Sequence, residues 1–521
     1  MGYYLYIYRD YPSLIRGGHT FSIIRASEEK IAAHREKIDF LLALNQDTVD
    51  LHREKIKTGT VIIYDSTSVK SEGSGIPIGK IIQEEKASEI MRNSCIIGAF
   101  CRVAGIERDI LARVLKKNIS KELDTNLKVA LRGYDEAGES ARIEALNRDR
   151  TPFLTGNEAI SLGLIKAGLR AYIGYPMTPS SAILHFMANA AEDFGLKVVH
   201  PEGEIGVMLM ALGFSYAGEK VAVGTSGGGF CLMTEGLSFA GMAELPVVVI
   251  VGQRPGPSTG LPTYTGQTEL HFVLNAGQGE FPCFVVAPGD AEEAYYWSAA
   301  ALNIAWKYQI PSIILSDKTL AEGSYSFDIK AVNDIKEETI PAWDGKGTYK
   351  RYLDTETGIS PLAFAPRKDA VIKINSYEHD ESGITTEDPK ITKAMQEKRL
   401  RKEGYLAKEL ESYQTVKVYG KKDAQAALLC WGSNKGVCIE AGEKLGLSVI
   451  HLSVLRPFPA TQLCRAVKGI KNLICVENNA TGQLADLVSR YGVKTDKRIL
   501  KYDGRPFTVE ELEKEAERAI A

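Results

Sequence analysis

No two of the eight cysteines stand as a Cys-x-x-Cys pair. A disulfide framework or a metal cluster held by this chain alone is therefore not expected. The cysteines fall mostly in apolar runs, where a reduced thiol behaves as a small hydrophobe, as in a reducing cytoplasm. The eight histidines are dispersed and show no ligand spacing. Long hydrophobic runs are also missing: stretches such as LPVVVIVG (245–252) are far too short to span a bilayer. The opening MGYYLYIYRDYPS lacks the basic region, apolar core and cleavage site of a signal peptide. Net charge is −3, too small to draw the whole chain to nucleic acid or anionic lipid. No short repeat or low-complexity tract occurs. What remains is ordinary globular composition, 44% hydrophobic and 25% charged over 521 residues. At about 100–200 residues per domain, that length suggests about three domains.

Alternation is clearest in the middle of the chain. Valine- and isoleucine-rich runs at 171–174, 196–200, 220–225, 246–251, 283–287 and 311–316 predict strands. Helical periods lie between them, as at 204–217 and at 290–306, where Asp290 is a plausible N-cap with Glu293 three residues on. Such alternation predicts an α/β fold, a doubly wound parallel sheet with helices on both faces. Residues 331–420 break the pattern and read as an extended charged connection, with an exposed helix over 391–413. Alternation resumes over 421–521 as a smaller α/β domain. Residues 1–125 form another α/β unit, with strands at 3–8, 39–45 and 60–66, and 126–154 is a linker to the domain at 155–330.

Ligands of open parallel sheets bind at the carboxyl ends of the strands. YPMTPSS (175–181), TSGGGF (225–230) and GQRPGPSTGLPT (252–263) each follow a predicted strand there. Glu204 begins a helix; Gly213 and an aromatic follow, then a strand that ends in Thr-Ser-Gly. This spacing resembles the pyrimidine-binding domain of thiamine diphosphate enzymes. In that resemblance the glutamate hydrogen-bonds the aminopyrimidine and favours the imino tautomer that takes the thiazolium proton. The plainer reading is that Glu204 serves only the helix dipole.

Taken together, YPMTPSS, the Glu204 segment, TSGGGF, GQRPGPSTGLPT and GQGEFP resemble the alpha subunit of the 2-oxoacid:ferredoxin oxidoreductases. LRPFP (455–459) and ENNATGQL (477–484) are similar to the family's transketolase C-terminal-like domain, and residues 11–27 to its gamma domain, in the order of the fused chains. The resemblance implies oxidative decarboxylation of a 2-oxoacid on thiamine diphosphate, transfer of the acyl group to coenzyme A and electrons to ferredoxin. It implies that Glu204 and Thr178 are catalytic, that Arg254, Thr178 and Tyr175 bind substrate, and that Glu204, Ser226 and Gly227 bind the cofactor. No GDG with a following asparagine pattern occurs, and YDGRP (502–506) has the wrong context. The resemblance therefore implies a beta subunit that brings the diphosphate half of the site, Mg2+ and a four-iron four-sulfur cluster, in a dimer of alpha–beta heterodimers. Of the 2-oxoacids, 2-oxoglutarate is favoured, with pyruvate and branched-chain acids behind. Two rivals stay open: a non-redox transketolase-type subunit and an inert regulatory subunit.

There are departures. Gly228 replaces the family's usual proline, Gly266 its frequent glutamate, and SPLAFAP (360–366) lacks the usual proline–arginine pair. The gamma-like segment also lacks the family's opening strand and glycine-rich turn, which predicts an unsatisfied neighbour in its sheet. GSGIPIGK (73–80) fails the P-loop pattern and reads as a loop. KRLRK (398–402) reads as a solvated helix face, and Met208 and Met210 as core filler.

Overall fold

VVVIVGQ (247–253) has no polar face to offer water, so it can fold only where both faces of the strand are covered. All seven of its residues are buried. The computed structural model describes residues 1–13, 15–146 and 148–521. Leu14, inside the 11–27 motif, and Asn147, inside the expected linker, lie outside the described residues.

The chain divides into two units: residues 1–3, 17–19 and 35–150, and residues 4–16, 20–34 and 151–521. In the first, Ile38–Ala43, Ile56–Asp65 and Ser74–Ile76 form a parallel three-stranded sheet. Helices Arg92–Val103 and Leu123–Glu136 cross closely through glycines. A methyl on Gly98 would lie 1.9 Å from the Ala130 carbonyl, and one on Gly133 2.1 Å from that of Cys95. The second of these helices runs straight through the expected boundary at 125/126, so the start of the linker is helical.

The second unit is built on a seven-stranded sheet. Its strands are β1 (Ala171–Gly174), β2 (Lys197–Val199), β3 (Val221–Ser226), β4 (Val247–Gln253), β5 (Phe284–Val286), β6 (Pro311–Asp317) and β7 (Val454–Arg456). The order is β7-β5-β6-β4-β3-β1-β2, parallel except for β7. The six strands read from the sequence are all present. β7 was not foreseen: it comes from the C-terminal LRPFP region and closes the edge beside β5. Side chains alternate between two cores, with Val247, Val249 and Val251 in one and Val248 and Ile250 in the other. Helices α1 (Ser181–Asn189), α2 (Glu204–Tyr216), α3 (Gly227–Met242) and α4 (Ala291–Tyr308) cover the sheet. Asp290 does cap α4, accepting from the Glu293 amide at 2.9 Å. Glu293 does not complete the box; its carboxylate accepts from Gly289 N at 2.9 Å and from Lys435 at 2.8 Å.

Further expectations need correction. Tyr4–Asp10 does not join the sheet of the first unit. It pairs antiparallel with Phe21–Ser27 and with Ser324–Ser326, in a four-stranded sheet of the second unit. Its alternation buries Tyr6 and Tyr8 in that unit. Residues 331–420 carry the expected helix, α5 (Pro389–Leu410), but it is not exposed: Met395, Leu406 and Leu410 on it are buried against the body. And KRLRK is not a solvated face. Lys398, Arg399 and Lys402 are buried, because the i and i+4 lysines point inward onto Glu244 while Arg399 pairs with Glu378. Met208 fills the core as expected, but Met210 is exposed. The 421–521 segment supplies four strands of a five-stranded sheet; the fifth, Val416–Gly420, comes from the end of the expected connection and pairs antiparallel at its edge. Among the described residues, no helix is long and apolar enough to cross a membrane.

Candidate active site

Register brings the sequence motifs to one edge. Gly252 at the end of β4 lies beside Ser226 of β3 and Ser316 of β6, and Gly174 beside Gly224. The loops after β1, β3 and β4 therefore open on the same side. TSGGGF is not a free loop: Ser226 is the N-cap of α3, and the three glycines form its first turn.

The reason for those glycines is two carboxylates. A methyl on Gly229 would lie 2.7 Å from Glu204 Oε1 and 2.1 Å from Thr225 Oγ1. A methyl on Gly227 would lie 2.6 Å from Glu269 Oε1. The first turn of α3 is thus flanked by two buried acids, near the positive end of a helix dipole. Glu204 is the first residue of α2 and only 6% exposed. Among the described residues no donor hydrogen-bonds its side chain, which leaves the carboxylate to solvent or a ligand. The Ser226 hydroxyl is enclosed and has no partner among the described residues.

On the other side, the Arg254 guanidinium donates from Nη1 to the Thr178 carbonyl at 2.9 Å, which ties the β4 loop to the β1 loop. The second loop is braced in turn. Asn157 Nδ2 donates to the Pro179 carbonyl at 2.9 Å, and Ser180 Oγ to that of Met177 at 2.8 Å. Half-burial holds Arg254 below its usual basicity, an effect that Glu269 partly offsets. Tyr175 stands partly exposed at the rim, its ring centroid 6.0 Å from that of His200. So Thr178 and Arg254 meet directly, Ser226 and Gly227 open α3 between the acids, and Glu204 approaches from the far side of that turn. Among the described residues, no hydrogen bond or ion pair joins Glu204 to Arg254 or Thr178.

Sequence reasoning missed Glu269. Burial pushes its carboxyl up to about 7, against the Thr268 hydrogen bonds and the pull of Arg254. Thr268 Oγ1 lies 2.9 Å from Glu269 Oε1 and 3.3 Å from the Arg254 carbonyl, while Glu269 Oε2 is buried with no partner. The available signal was its place: the last polar residue of a long loop, just ahead of the apolar helix Leu270–Leu274.

Missed too was what pins that loop. Gln267 N donates to the Asn478 carbonyl at 2.7 Å and Gln267 Nε2 to that of Trp431 at 2.9 Å; Asn434 and Asn479 donate back to its oxygens. Thr265 N donates to the Gly504 carbonyl at 3.0 Å, and the Arg505 guanidinium stacks 3.7 Å over the Tyr264 ring. ENNATGQL and YDGRP thus fix the loop that carries Arg254 and Glu269. Among the described residues, no group of three or more His, Cys, Asp or Glu has the arrangement to hold a metal ion.

Residues 162–397 match the family described as "Pyruvate flavodoxin/ferredoxin oxidoreductase, thiamine diP-bdg", and residues 1–136 "Pyruvate ferredoxin/flavodoxin oxidoreductase". The 2-oxoacid:ferredoxin oxidoreductase alpha subunit of a Sulfolobus species is 32% identical over 98% of this chain and 92% of its own. The 2-oxoglutarate synthase subunit KorA of Methanocaldococcus jannaschii is 32% identical over 70% of this chain and 99% of its own. A solved 2-oxoglutarate:ferredoxin oxidoreductase from Magnetococcus marinus, with 2-oxoglutarate, coenzyme A and succinyl-CoA bound, superposes with a TM-score of 0.90 at 30% identity, covering 100% of this chain and 95% of that one. The chain is an oxidoreductase polypeptide and belongs to the 2-oxoacid:ferredoxin oxidoreductase alpha-subunit family.

Proposed function

We propose that this chain is the alpha-type subunit, with a gamma-like segment at 1–125, of an enzyme that oxidatively decarboxylates 2-oxoglutarate to its acyl-CoA and passes the electrons to ferredoxin. Residues 155–330 would be the pyrimidine-binding domain and 421–521 the transketolase C-terminal-like domain, with pyruvate and branched-chain 2-oxoacids the next substrates. The observation that carries the reading is Glu204, the first residue of a helix and only 6% exposed, whose carboxylate has no hydrogen bond or ion pair among the described residues. An aminopyrimidine N–H is the donor that would satisfy it, and the orphaned Ser226 hydroxyl lies on the same helix opening. Thiamine diphosphate, when bound, supplies the electron sink that loss of CO2 from a 2-oxoacid needs. In this reading Glu204 holds and orients the pyrimidine, and Ser226 and Gly227 border it. The Arg254 fork receives the substrate carboxylate, and the Thr178 hydroxyl faces the keto oxygen, with Tyr175 at the mouth.

The site is half a site. Ile205 and Leu209, within five residues of Glu204, are 53% and 50% exposed, and Leu232 of α3 is 52% exposed. They border a groove of about 1110 Å³ that also includes Phe239, Phe272 and Phe281. An open apolar stripe beside a buried carboxyl supports completion by another polypeptide. That beta subunit would bring the diphosphate anchor, Mg2+ and the four-iron four-sulfur cluster, in a cytoplasmic dimer of heterodimers. Co-purified with it and assayed on a panel of 2-oxoacids with coenzyme A and a viologen dye, the complex should turn over 2-oxoglutarate fastest. Glu204→Ala should cost about 10²-fold or more in turnover. Unchanged turnover in that variant, or turnover by this chain alone, overturns the reading.

A further inference from the structure

Glu269 lies between the two sides of the site and has no part in the roles assigned above. Its Oε1 is against Gly227 and receives the Thr268 hydroxyl; its backbone amide donates to Gln253 Oε1 at 3.2 Å. Oε2 is enclosed and makes no hydrogen bond. The charged group acting most strongly on it is Arg254, and the two form no ion pair within 4.0 Å among the described residues. Arg254 turns instead to the Thr178 carbonyl. From the helix side Gly227 faces Glu269, whereas Glu204 lies against Gly229, two residues on.

Here geometry and charge make one argument. An ionised carboxylate enclosed with a free oxygen and no paired cation is costly, whereas the protonated acid is far less so. A half-buried guanidinium with no anion is the complementary arrangement: its charge awaits an anionic ligand. An ionised Glu269 would be that anion and would compete with any carboxylate arriving from outside.

We infer that Glu269 is a positioning residue that keeps its proton in the resting site, so that Arg254 meets the carboxylate of the 2-oxoacid with its charge uncompensated. This rests on the substrate role proposed for Arg254. Burial, which pushes the carboxyl up to about 7, is consistent with it and sets the pH window. If only the protonated form admits substrate, KM for the 2-oxoacid should rise about tenfold between pH 6 and pH 8, with kcat little changed. Glu269→Gln, which is neutral at every pH, should keep the low KM of pH 6 and lose the alkaline rise.

The test uses the complex with its beta subunit. Steady-state KM and kcat are measured from pH 6 to 8 for wild type and Glu269→Gln, and wild-type-minus-variant infrared difference spectra are recorded without substrate. The expected spectrum shows a carboxylic-acid C=O stretch at pH 6 that disappears by pH 8. Three results overturn the inference: no such band, an alkaline KM rise that persists in Glu269→Gln, or a KM raised tenfold in that variant at all pH values. Should the variant not assemble, a flat wild-type KM across this range is enough to overturn it. The infrared reading needs no turnover. A complex that shows the band but binds no 2-oxoacid therefore sinks the proposed function, whereas one that turns over 2-oxoacid without the band sinks only this inference.

Discussion

Glu244 and Glu269 are both almost fully buried in the same unit, yet their carboxyls move in opposite directions. Burial alone would raise both. At Glu244 it is overcome: Lys398 Nζ lies 2.8 Å from each carboxylate oxygen, Lys402 Nζ bonds Oε2, and Arg351 is close by. These cations hold Glu244 well below the usual carboxylate range. Burial in turn pushes Lys402 down to about 7, since two lysines share one anion. At Glu269 the opposing forces are the Thr268 hydroxyl, the backbone amides of Thr268 and Glu269, and one unpaired guanidinium, and burial wins. The comparison separates two uses of a buried acid. Where every lone pair is answered from within the chain, the acid holds elements together, here clamping α5 to the turn after α3. Where an oxygen is left unanswered beside an unpaired cation, the structure is incomplete without a ligand.

The largest effect should come from breaking the satisfied side. Glu244→Gln removes the anion from beneath two buried lysines and should cost about 3–5 kcal/mol in urea-denaturation stability. The same change at Glu269 replaces an acid that is already mostly neutral below pH 7 and should cost far less. Equal losses at the two positions would end the distinction.

A smaller effect sharpens it through pH. The Glu244 carboxyl is depressed in the folded state, so its contribution is present above the unfolded value near 4.5 and is lost as pH falls below that. Glu269 is raised, so the folded state holds the extra proton, and stability declines as pH climbs from 4.5 to about 7. At about 1.4 kcal/mol per pH unit of displacement, that decline is on the order of 3 kcal/mol. The wild-type-minus-Glu269→Gln difference in stability across pH 4 to 8 should show the decline; taking the difference removes opposing groups such as His451, whose buried imidazole is pushed down to about 4 and adds stability as pH rises. A parallel pair of curves would show that Glu269 is ionised throughout.

The same contrast explains what could be read in advance. The six parallel strands were legible because doubly covered strands must be continuous runs of Val and Ile, as in 247–251 and 311–315, and no other element needs that pattern. Glu204, Thr178 and Arg254 were legible because each follows a strand end or opens a helix at a fixed spacing. Glu269 was not: its environment is made by Gly227 and Gln253, 42 and 16 residues away, and no local period records that. Nor could the sequence show that Gln267 would be held by Asn434, Asn478 and Asn479 from a different sheet. KRLRK misled for a related reason. Four basic residues in five on a helix suggest water, but lysines four apart project from one face, and that face found Glu244.

The smallest predicted effect isolates position from charge on that same helix. Arg401 adjoins Lys402 in sequence, but its side chain turns outward to Asp354, with 34% and 40% of the two side chains exposed. Water already solvates both groups there, and ordering two long side chains offsets much of the attraction. Arg401→Ala should therefore change stability by about 1 kcal/mol or less, and added salt should shrink the difference further. Lys402→Ala, one residue on, relieves the crowding of two cations over one anion but leaves a cavity and half-strips Glu244, so it should cost more than Arg401→Ala and less than Glu244→Gln. If Arg401→Ala proved as damaging as Lys402→Ala, helix α5 would be held by its net charge, and the satisfaction of one buried carboxylate would not be what fixes it.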